Sequence, residues 1–359
     1  MKRAKRLFDS ICSFDNLLAA SRQARRGKRL RGDVAWFEHN LENELLALQA
    51  ELRDRSYRPL GYRTFNIRDP KPRMISAAAY RDRVVHHALC RVLEPVFERS
   101  FISDSYGCRR GKGTHAAVDR LTQFMRSADY VLKCDVRRYF PSVDHGILKE
   151  TIRRKVGCEG ALWLADLIID RSNPQEPVHD YFAGDDLFAP FERRRGLPLG
   201  NQTSQFFGNV YLDGLDHYVK ETLGCRRYIR YVDDMVVLGD DKASLWAIRD
   251  AIAAFMAKHL RLCLHPTKQT VTPTGVGLDF LGYRVYPDHR LLRRSTAWRY
   301  IRRFRQMQRR YARGDLVLGD VHQSVAAWVG HARHADTYGL RTAVLTTAVF
   351  RRAQAGGAA

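Results

Sequence analysis

Residues 228–238 are Tyr-Ile-Arg-Tyr-Val-Asp-Asp-Met-Val-Val-Leu, and this stretch decides the fold. Two adjacent carboxylates, Asp233 and Asp234, separate two short runs of aromatic and β-branched residues. Such runs on either side of a polar pair predict two strands joined by a tight turn. The sequence therefore places both carboxylates at the tip of a hairpin that a stiff sheet supports.

Neighbouring carboxylates at a hairpin tip repel each other, so the pair requires an explanation. A divalent cation bound through oxygen is one explanation, because carboxylates are preferred ligands of hard cations. A solvated Asp-Asp turn is the alternative, and the pair alone does not distinguish the two. The rest of the chain has to decide between them.

The charge balance points to a polyanionic partner. The 359 residues include 61 Lys+Arg against 39 Asp+Glu, a net charge of +22. Nucleic acid is the expected partner, with an anionic membrane surface as the competitor. No apolar run reaches the roughly 18 residues of a membrane-spanning helix, and no hydrophobic signal core follows the basic start. We therefore expect a soluble cytoplasmic protein of about two to three subdomains.

The seven cysteines are scattered and contain no Cys-x-x-Cys pair. This spacing argues against a zinc site and against a disulfide framework. We expect small buried thiols in a reducing compartment.

A third carboxylate follows another predicted strand. Residues 130–136 alternate so that Asp135 lies on the face opposite Leu132 and Cys134. An Asp at a strand end is weak evidence by itself. Together with the Asp233–Asp234 hairpin it predicts a site of three carboxylates.

Basic residues accompany these acids in three segments. Residues 57–75 predict a small antiparallel hairpin with Lys71 and Arg73 beside its second strand. Residues 105–114 form a glycine-punctuated loop whose amides and cations could approach an anion. The loop's cations are Arg109, Arg110 and Lys112.

Residues 295–313 predict a helix with one apolar stripe and a strongly basic remainder. Its arginines, Arg299, Arg302, Arg303, Arg305, Arg309, Arg310 and Arg313, have no acid within the segment to pair with. Contact with a phosphate backbone is favoured over a merely solvated face.

Two further segments lie between the carboxylates. Residues 172–192 contain five acids and no Lys or Arg, which predicts a solvated loop or exposed hairpin, with protein contact as the alternative. Residues 196–205 form a Gly-rich turn that opens a helix over 204–223. Helices are also predicted over 34–55, 82–97, 242–260, 325–340 and 341–352.

In order and spacing, these motifs resemble reverse transcriptases over residues 55–345. The matching segments are 71–75, 106–109, Asp135 with Tyr139 and Phe140, the 200–205 turn, 231–234, Lys268 and 280–283. The resemblance implies an α+β right-hand polymerase fold with fingers, a palm of antiparallel sheet plus helices, and a helical thumb. The implied ranges are 1–55 for a basic arm and helix, 56–125 for fingers, 126–290 for a palm interleaved with part of the fingers, 291–350 for the thumb and 351–359 for a disordered tail.

The resemblance also implies the chemistry. Asp135, Asp233 and Asp234 would hold two Mg²⁺ ions, or Mn²⁺ as a substitute, and Lys268 would protonate the leaving pyrophosphate. The implied dNTP-binding residues are Lys71, Arg73, Arg109, Phe140 as the gate against ribose, Leu199, Gly200 and Gln205. The implied primer and template contacts are Phe280, Leu281, Gly282, Tyr283, Arg299, Arg302 and Arg303. An RNA template, a DNA or RNA primer, dNTPs and a cDNA product are the implied partners.

One departure narrows the resemblance. Most reverse transcriptases have Gln-Gly at the palm turn and end the motif in Ser-Pro, whereas this chain has Leu199-Gly200 and Ser204-Gln205. That variant is similar to reverse transcriptases of bacterial and phage diversity-generating retroelements. Such enzymes copy a template-repeat RNA with errors at adenines, and a small, basic, oligomeric accessory protein is implied as a partner in a bacterial or phage-infected cell. Because Leu199 cannot hydrogen-bond near the nascent base pair, we expect low fidelity.

Three alternatives remain. A related bacterial reverse transcriptase that acts in phage defence would keep the same chemistry. A group II intron protein is less expected, because we expect no DNA-binding or endonuclease module after residue 359. A non-enzymatic RNA-binding scaffold would need no intact acidic set, and the presence of Asp135, Asp233, Asp234 and Lys268 argues against it.

Overall fold

The computed structural model describes residues 3–68, 72–347 and 349–352. Lys71 and residues 353–359 of the expected tail therefore lie outside the described residues. The chain forms two compact units. The first comprises Met1–Cys108, Lys133–Val236 and Trp246–Gln269, and the second comprises Arg109–Leu132, Val237–Leu245 and Thr270–Ala359. The division into fingers, palm and thumb stays a prediction.

The N-terminal third of the chain is mainly helical. Its elements are α1 (Phe8–Cys12), α2 (Phe14–Ala24), α3 (Gly32–His39), α4 (Leu41–Arg53), β1 (Arg63–Arg68), β2 (Pro72–Ala77) and α5 (Tyr80–Glu98). The single helix predicted over 34–55 is wrong, because the backbone leaves the helical region at Asn40. The Asn40 side-chain amide donates to the Trp36 carbonyl at 3.0 Å and so competes with the helix's own hydrogen bonds.

The predicted hairpin and the helix after it are confirmed. Strands β1 and β2 pair antiparallel with Phe65 opposite Ile75. Helix α5 packs against α2 and also against α11 (Gln202–His217), which comes later in the chain. The core of the first unit includes the fully buried Leu45, Leu89 and Phe97.

The middle of the chain carries the segments that the sequence analysis singled out. Its elements are α6 (Thr114–Met125), β3 (Tyr130–Asp135), α7 (Tyr139–Ser142), α8 (His145–Lys155), α9 (Glu159–Asp170), α10 (Ala189–Glu192), α11 (Gln202–His217), β4 (Tyr228–Tyr231), β5 (Asp234–Gly239) and α12 (Lys242–Phe255). Helix α11 continues as a π-helical turn over Tyr218–Thr222, and α12 does so over Met256–Leu260. The four-stranded sheet has the order β4-β5-β3-β6, where β6 is Thr270–Pro273.

The acidic segment 172–192 is a loop that ends in α10, and its described residues form no strand. It is less solvated than predicted, because three of its acids are paired. Asp180 bonds Arg137, Asp185 bonds Arg193, and Glu176 lies 3.1 Å from Arg138. The arginines come from outside the segment, so its own composition gave no sign of them.

The second unit ends in a small sheet and three helices. These are β7 (Leu278–Phe280), β8 (Tyr283–Val285), β9 (Arg290–Leu292), α13 (Arg294–Arg313), α14 (Leu318–Ala332) and α15 (Tyr338–Thr346), with a 3₁₀ turn at Thr274–Val276. The three strands form an antiparallel meander. Helix α13 matches the prediction for 295–313. Of the four residues of its expected apolar stripe, Tyr300, Phe304 and Met307 are buried and Tyr311 is half-buried.

One expectation about the second unit is wrong. Helices were expected over 325–340 and 341–352, but α14 starts earlier and residues 333–337 separate it from α15. The segment 295–313 contains no acid, and just beyond it Asp315 Oδ2 lies 3.3 Å from Arg313 Nε. Among the described residues, none belongs to a helix long and apolar enough to cross a membrane. The mixture of helices and sheet agrees with the α+β class.

Candidate active site

The tip of the β4–β5 hairpin is strained and tightly enclosed. Strand β4 ends at Tyr231 and β5 begins at Asp234, so Val232 and Asp233 form the turn. Val232 has a φ of 56°, a left-handed conformation that a β-branched residue rarely adopts. A Cβ at Gly107 would lie 2.5 Å from Val232 Cγ2. Only glycine at position 107 lets the turn keep this position.

Behind the turn, a buried guanidinium holds the hairpin in place. Arg230 is completely buried, and its Nε and Nη2 donate to the two carboxylate oxygens of Asp216 at 2.7 and 2.6 Å. Its Nη1 donates to Asn209 Oδ1 at 3.1 Å and to the Val232 carbonyl at 3.0 Å. Burial alone would lower the pKa of Arg230, but the Asp216 carboxylate keeps that pKa above its usual range. Arg230 therefore ties the strained residue to the core as a permanent cation.

The three predicted carboxylates meet at the tip. The Val136 amide, next to Asp135, donates to the Asp233 carbonyl at 3.3 Å. Burial, together with the nearby carboxylates of Asp135 and Asp234, raises the pKa of Asp233 to about 6. Burial also raises the pKa of Asp234. The structure thus brings the acid at the end of β3 to the hairpin, as predicted.

Two lysines stand against these acids. Lys268 Nζ donates to Asp135 Oδ2, and Lys133 Nζ lies 3.5 Å from Asp234 Oδ1. Sequence reasoning found Lys268 and missed Lys133, although its place two residues before Asp135 in a strand puts both side chains on one face. Among the described residues, no three His, Cys, Asp or Glu side chains are arranged to hold a metal ion. The metal ligands stay a prediction.

A cavity of about 530 Å³ opens beside the acids within the first unit. Three arginines, Arg68, Arg73 and Arg138, lie on its wall, so an anion entering it meets positive charge opposite the carboxylates. Arg73 was predicted, and the other two were missed. The remaining lining residues are Asn66, Pro72, Met74, Asp135, Val136, Tyr139, Phe140, Pro141, Gln175, Glu176, Leu199, Asp233, His265 and Lys268.

The 199–205 turn does not direct all its predicted residues to this cavity. Leu199 lines the cavity, and its carbonyl accepts from the Ser76 amide at 2.9 Å, which anchors the turn on β2. Gly200 has a φ of 112°, and a Cβ there would lie 3.0 Å from Ile75 Cγ2. Gly200 and Gln205 line a separate cavity of about 210 Å³. Their predicted contact with a dNTP therefore has no support from their position.

That separate cavity is basic, and sequence reasoning missed it. Lys28, Arg83 and His87 line it, and burial together with nearby cationic side chains lowers the pKa of each. His86, completely buried, also lines it with Nδ1 lacking a hydrogen-bond partner. The basic cluster at residues 22–29 indicated positive charge in the sequence, but no local pattern showed that it lies beside Arg83, His86 and His87 of α5. An anion would be stabilised here.

The other predicted residues belong to the second unit. Phe280 and Tyr283 are 1% and 0% exposed, and the Tyr283 hydroxyl lies 2.9 Å from His331 Nδ1. Their rings are therefore core residues, and only the Leu281–Gly282 turn between β7 and β8 is partly exposed. Arg299, Arg302 and Arg303 are exposed on α13, and Arg109 is half-buried at the start of the unit.

Comparison with known proteins gives a consistent family. The model of the reverse transcriptase (RNA-dependent DNA polymerase) family matches residues 67–285, more than half of the chain. The chain is 25% identical over 294 residues to Protein YkfC of Escherichia coli, which covers 71% of this chain and 73% of YkfC. It is 20% identical over 345 residues to the group II intron-encoded protein LtrA of Lactococcus lactis, covering 77% of this chain and 54% of LtrA.

A shorter match agrees with these. A putative COX1/OXI3 intron 2 protein of Saccharomyces cerevisiae is 22% identical over 148 residues, covering 41% of this chain and 16% of the yeast protein. The chain thus spans most of YkfC but only about half or less of the intron-related proteins. The matched region contains all three carboxylates and Lys268. By this match the chain belongs to the reverse transcriptase family.

Proposed function

We propose that the chain copies RNA into DNA by nucleotidyl transfer in the carboxylate cavity. In this reaction the 3′-hydroxyl oxygen of a primer attacks the α-phosphorus of a dNTP, the bond to the β-phosphate oxygen breaks, and pyrophosphate leaves. The observation that carries the proposal is the meeting of Asp135 with Asp233 and Asp234 beside an arginine-lined cavity. Family membership implies an RNA template and nucleotide substrates. A DNA or RNA primer and a cDNA product complete the proposed set.

The donor chemistry of the three acids suits Mg²⁺. Hard cations prefer carboxylate oxygens, and the repulsion that raises the pKa of Asp233 is the repulsion a divalent cation relieves. Asp135 and Asp233 would hold two ions, with Asp234 coordinating less directly and Mn²⁺ as a substitute. Bound ions of this kind activate the attacking hydroxyl and neutralise the triphosphate.

The side chains around the acids supply the remaining functions. Lys268, which donates a hydrogen bond to Asp135, would give a proton to the departing pyrophosphate. Arg73, with Arg68 and Arg138 beside it, would bind the triphosphate, and Lys71 and Arg109 are proposed to contribute. Phe140 lines the same cavity and would exclude a ribose 2′-hydroxyl.

We further propose that these parts belong to a right-hand polymerase arrangement of fingers, palm and thumb. In it the exposed α13 arginines Arg299, Arg302 and Arg303 contact the backbone of the primer–template duplex, and the Leu281–Gly282 turn contacts the primer end. Because Phe280 and Tyr283 are buried, they would support that turn rather than touch the primer.

Primer extension tests the polymerase proposal. Purified chain with an RNA template, a DNA primer, dNTPs and Mg²⁺ should extend the primer, and Asp233→Asn should reduce extension at least about a thousandfold because it removes a metal ligand. Asp250→Asn, a change at an exposed acid on α12, is the matched control and should leave extension unchanged. Extension retained by Asp233→Asn, or absent from the wild type, would reject this site.

The finer proposal is error-prone, adenine-mutagenic synthesis of the diversity-generating type, with a small, basic, oligomeric accessory protein. Its support is Leu199, an apolar residue on the wall of the cavity that also holds Phe140 and Asp233. Leucine cannot hydrogen-bond the nascent pair, so a mispair loses less binding energy relative to a correct pair.

Substitution at this position separates the proposal from its rivals. Leu199→Gln should lower misincorporation opposite template adenine several-fold when the products are sequenced, and Leu199→Met is the apolar control. If Leu199→Gln and wild type give equal error spectra, Leu199 does not control fidelity. A near-duplicate repeat pair differing at adenines in neighbouring DNA would support the diversity-generating class.

A second candidate is a group II intron-type reverse transcriptase, favoured by the similarity to LtrA across 77% of this chain. It predicts intron RNA sequence flanking the gene and tight binding of that RNA in place of a repeat pair. A reverse transcriptase acting in phage defence would show neither flanking feature. All three candidates share the carboxylate chemistry, so primer extension does not distinguish them.

A further inference from the structure

The acidic loop, residues 172–192, differs in charge from the rest of the chain. It contains Glu176, Asp180, Asp185, Asp186 and Glu192 and no Lys or Arg, in a protein of net charge +22. Asp180 and Asp185 are used internally, because they bond Arg137 and Arg193. Asp186 and Glu192 are exposed and make no ion pair in the described part of the chain. They are therefore available to an external cation.

Internal bonds hold the loop in one shape. Arg193, only 8% exposed at its side chain, bonds Asp185 and lies 3.6 Å from Asp144. Asp186 Oδ1 accepts from the Phe188 and Ala189 amides at 2.9 and 2.7 Å and so caps α10. A surface held in this way loses little conformational entropy when a partner binds.

On this frame the loop presents four large apolar side chains to solvent. Tyr181, Leu187, Phe188 and Phe191 are 54%, 69%, 63% and 62% exposed. The Phe191 ring stacks on His179 with centroids 4.6 Å apart, and the Tyr181 hydroxyl donates to the Leu187 carbonyl at 3.1 Å. Exposed apolar clusters rimmed by polar groups mark interaction sites, and aromatic anchors dominate binding energy at protein interfaces.

The charge of the rim determines the kind of partner. Exposed carboxylates on Asp186 and Glu192 repel a phosphate backbone, so nucleic acid is disfavoured here although the rest of the chain attracts it. We propose that the acidic loop is a docking surface for a basic protein that offers apolar pockets to Phe188 and Phe191 and lysines or arginines to the two carboxylates. The surface therefore stays free when RNA covers the basic faces.

The loop also touches the candidate active site. Gln175 and Glu176 line the carboxylate cavity, and Glu176 lies 3.1 Å from Arg138 on the same wall. Arg137, which bonds Asp180 in the loop, follows Asp135 by two residues. A partner docked on the loop would steady this wall, which assigns a surface to the accessory protein of the proposed function. That link rests on the proposed function, whereas the docking itself does not.

Labelled peptides provide the probes. A helical Lys/Leu amphipathic peptide of about 20 residues and its Glu/Leu counterpart would be titrated into the RNA-free full-length chain by fluorescence anisotropy at physiological salt. We expect the Lys/Leu peptide to bind at the loop and the Glu/Leu peptide to bind only the basic faces of the chain, so that the loop variants leave Glu/Leu binding unchanged. Phe188→Ser/Phe191→Ser should weaken Lys/Leu binding at least tenfold, and Glu192→Gln should weaken it severalfold.

The control is Val317→Ser/Leu318→Ser, a pair of comparably exposed apolar residues in the second unit, which should change nothing. Glu/Leu binding that the loop variants weaken as much as Lys/Leu binding, or unchanged Lys/Leu binding by both loop variants, would overturn the proposal. Thermal melting checks that the loop variants are folded. Their primer extension should match the wild type within twofold, so a failed docking surface and a failed polymerase give different results.

Discussion

The tip of the β4–β5 hairpin, at Asp233, and its base, at Arg230, differ in whether the buried charge is stabilised by its neighbours. At the tip, burial and the two neighbouring acids Asp135 and Asp234 raise the pKa of Asp233 to about 6, so its ionised form is disfavoured. At the base, Arg230 is completely buried yet fully bonded to Asp216, Asn209 and the Val232 carbonyl. Only Tyr231 and Val232 separate Asp233, in a cluster of acids that opposes folding, from Arg230, whose hydrogen bonds are satisfied.

The difference shows how the first unit tolerates its candidate active site. Clustered acids and a left-handed Val232 both oppose folding, and such features persist only where the surroundings fix them. Arg230 fixes the carbonyl of that strained residue directly. Substitutions at the base should therefore lower stability, whereas neutralising the tip should raise it and abolish activity.

Arg230→Met should have the largest effect on stability. It leaves Asp216 buried without its partner, and breaking a buried ion pair in this way costs about 3–5 kcal/mol. Urea unfolding measures the loss, with Arg302→Met on the exposed face of α13 as a control expected within about 0.5 kcal/mol of wild type. The double variant Arg230→Met/Asp216→Leu should recover part of the loss. If the free energy of unfolding of Arg230→Met alone lies within about 1 kcal/mol of wild type, Arg230 does not stabilise the hairpin as described.

Gly107→Ala should have an intermediate effect. The added methyl would lie 2.5 Å from Val232 Cγ2, so the turn must shift, at a cost of about 1–3 kcal/mol. Because the turn carries Asp233, primer extension should also fall by about tenfold or more. Gly61→Ala is the control, since nothing lies within 4 Å of a Cβ there. Full activity in Gly107→Ala would show that the turn does not need its observed position.

The smallest stability effect belongs to the tip and depends on pH. The pKa of Asp233 is raised, so the folded state binds its proton more tightly than the unfolded state, and stability falls as pH rises from about 4 to 6. Without divalent cations, Asp233→Asn should therefore be about 1–2 kcal/mol more stable than wild type at pH 8 and about equal at pH 4. Thermal melts at both pH values measure this. If Asp233→Asn is less stable than wild type at pH 8, the ionised Asp233 side chain stabilises the folded state, contrary to this account.

The tip could be predicted from sequence and the base could not. Adjacent acids between apolar runs, plus Asp135 at a strand end, leave a local pattern. Arg230 lies within a run predicted as strand, and its partner Asp216 lies on α11, where no spacing rule connects the two. The arginines that pair with the acidic loop could not be predicted for the same reason, because no spacing rule connects them to their partners. Nor could the sequence show that Leu199 and Gln205 line different cavities. Patterns along the chain revealed the strands and helices, while long-range ion pairs required the structure.

The break between α3 and α4 was missed for a different reason. Asn40 is neither Gly nor Pro, and its side-chain amide joins its backbone N–H as a second donor to the Trp36 carbonyl, where the first helix ends inside a continuous apolar pattern. Hydrophobic spacing reports which face is buried, and it does not report where a polar side chain bonds the backbone at a helix end.

The most direct test of the contrast is thermal unfolding with and without Mg²⁺ at pH 8. If the tip is a cation site, saturating Mg²⁺ should raise the Tm of wild type by several degrees, since ligand at 100 times its Kd adds about 2.7 kcal/mol, and Asp233→Asn should show little change. An equal Mg²⁺ shift in both proteins, or none in wild type, would contradict the assignment of Asp135, Asp233 and Asp234 as the metal-binding centre.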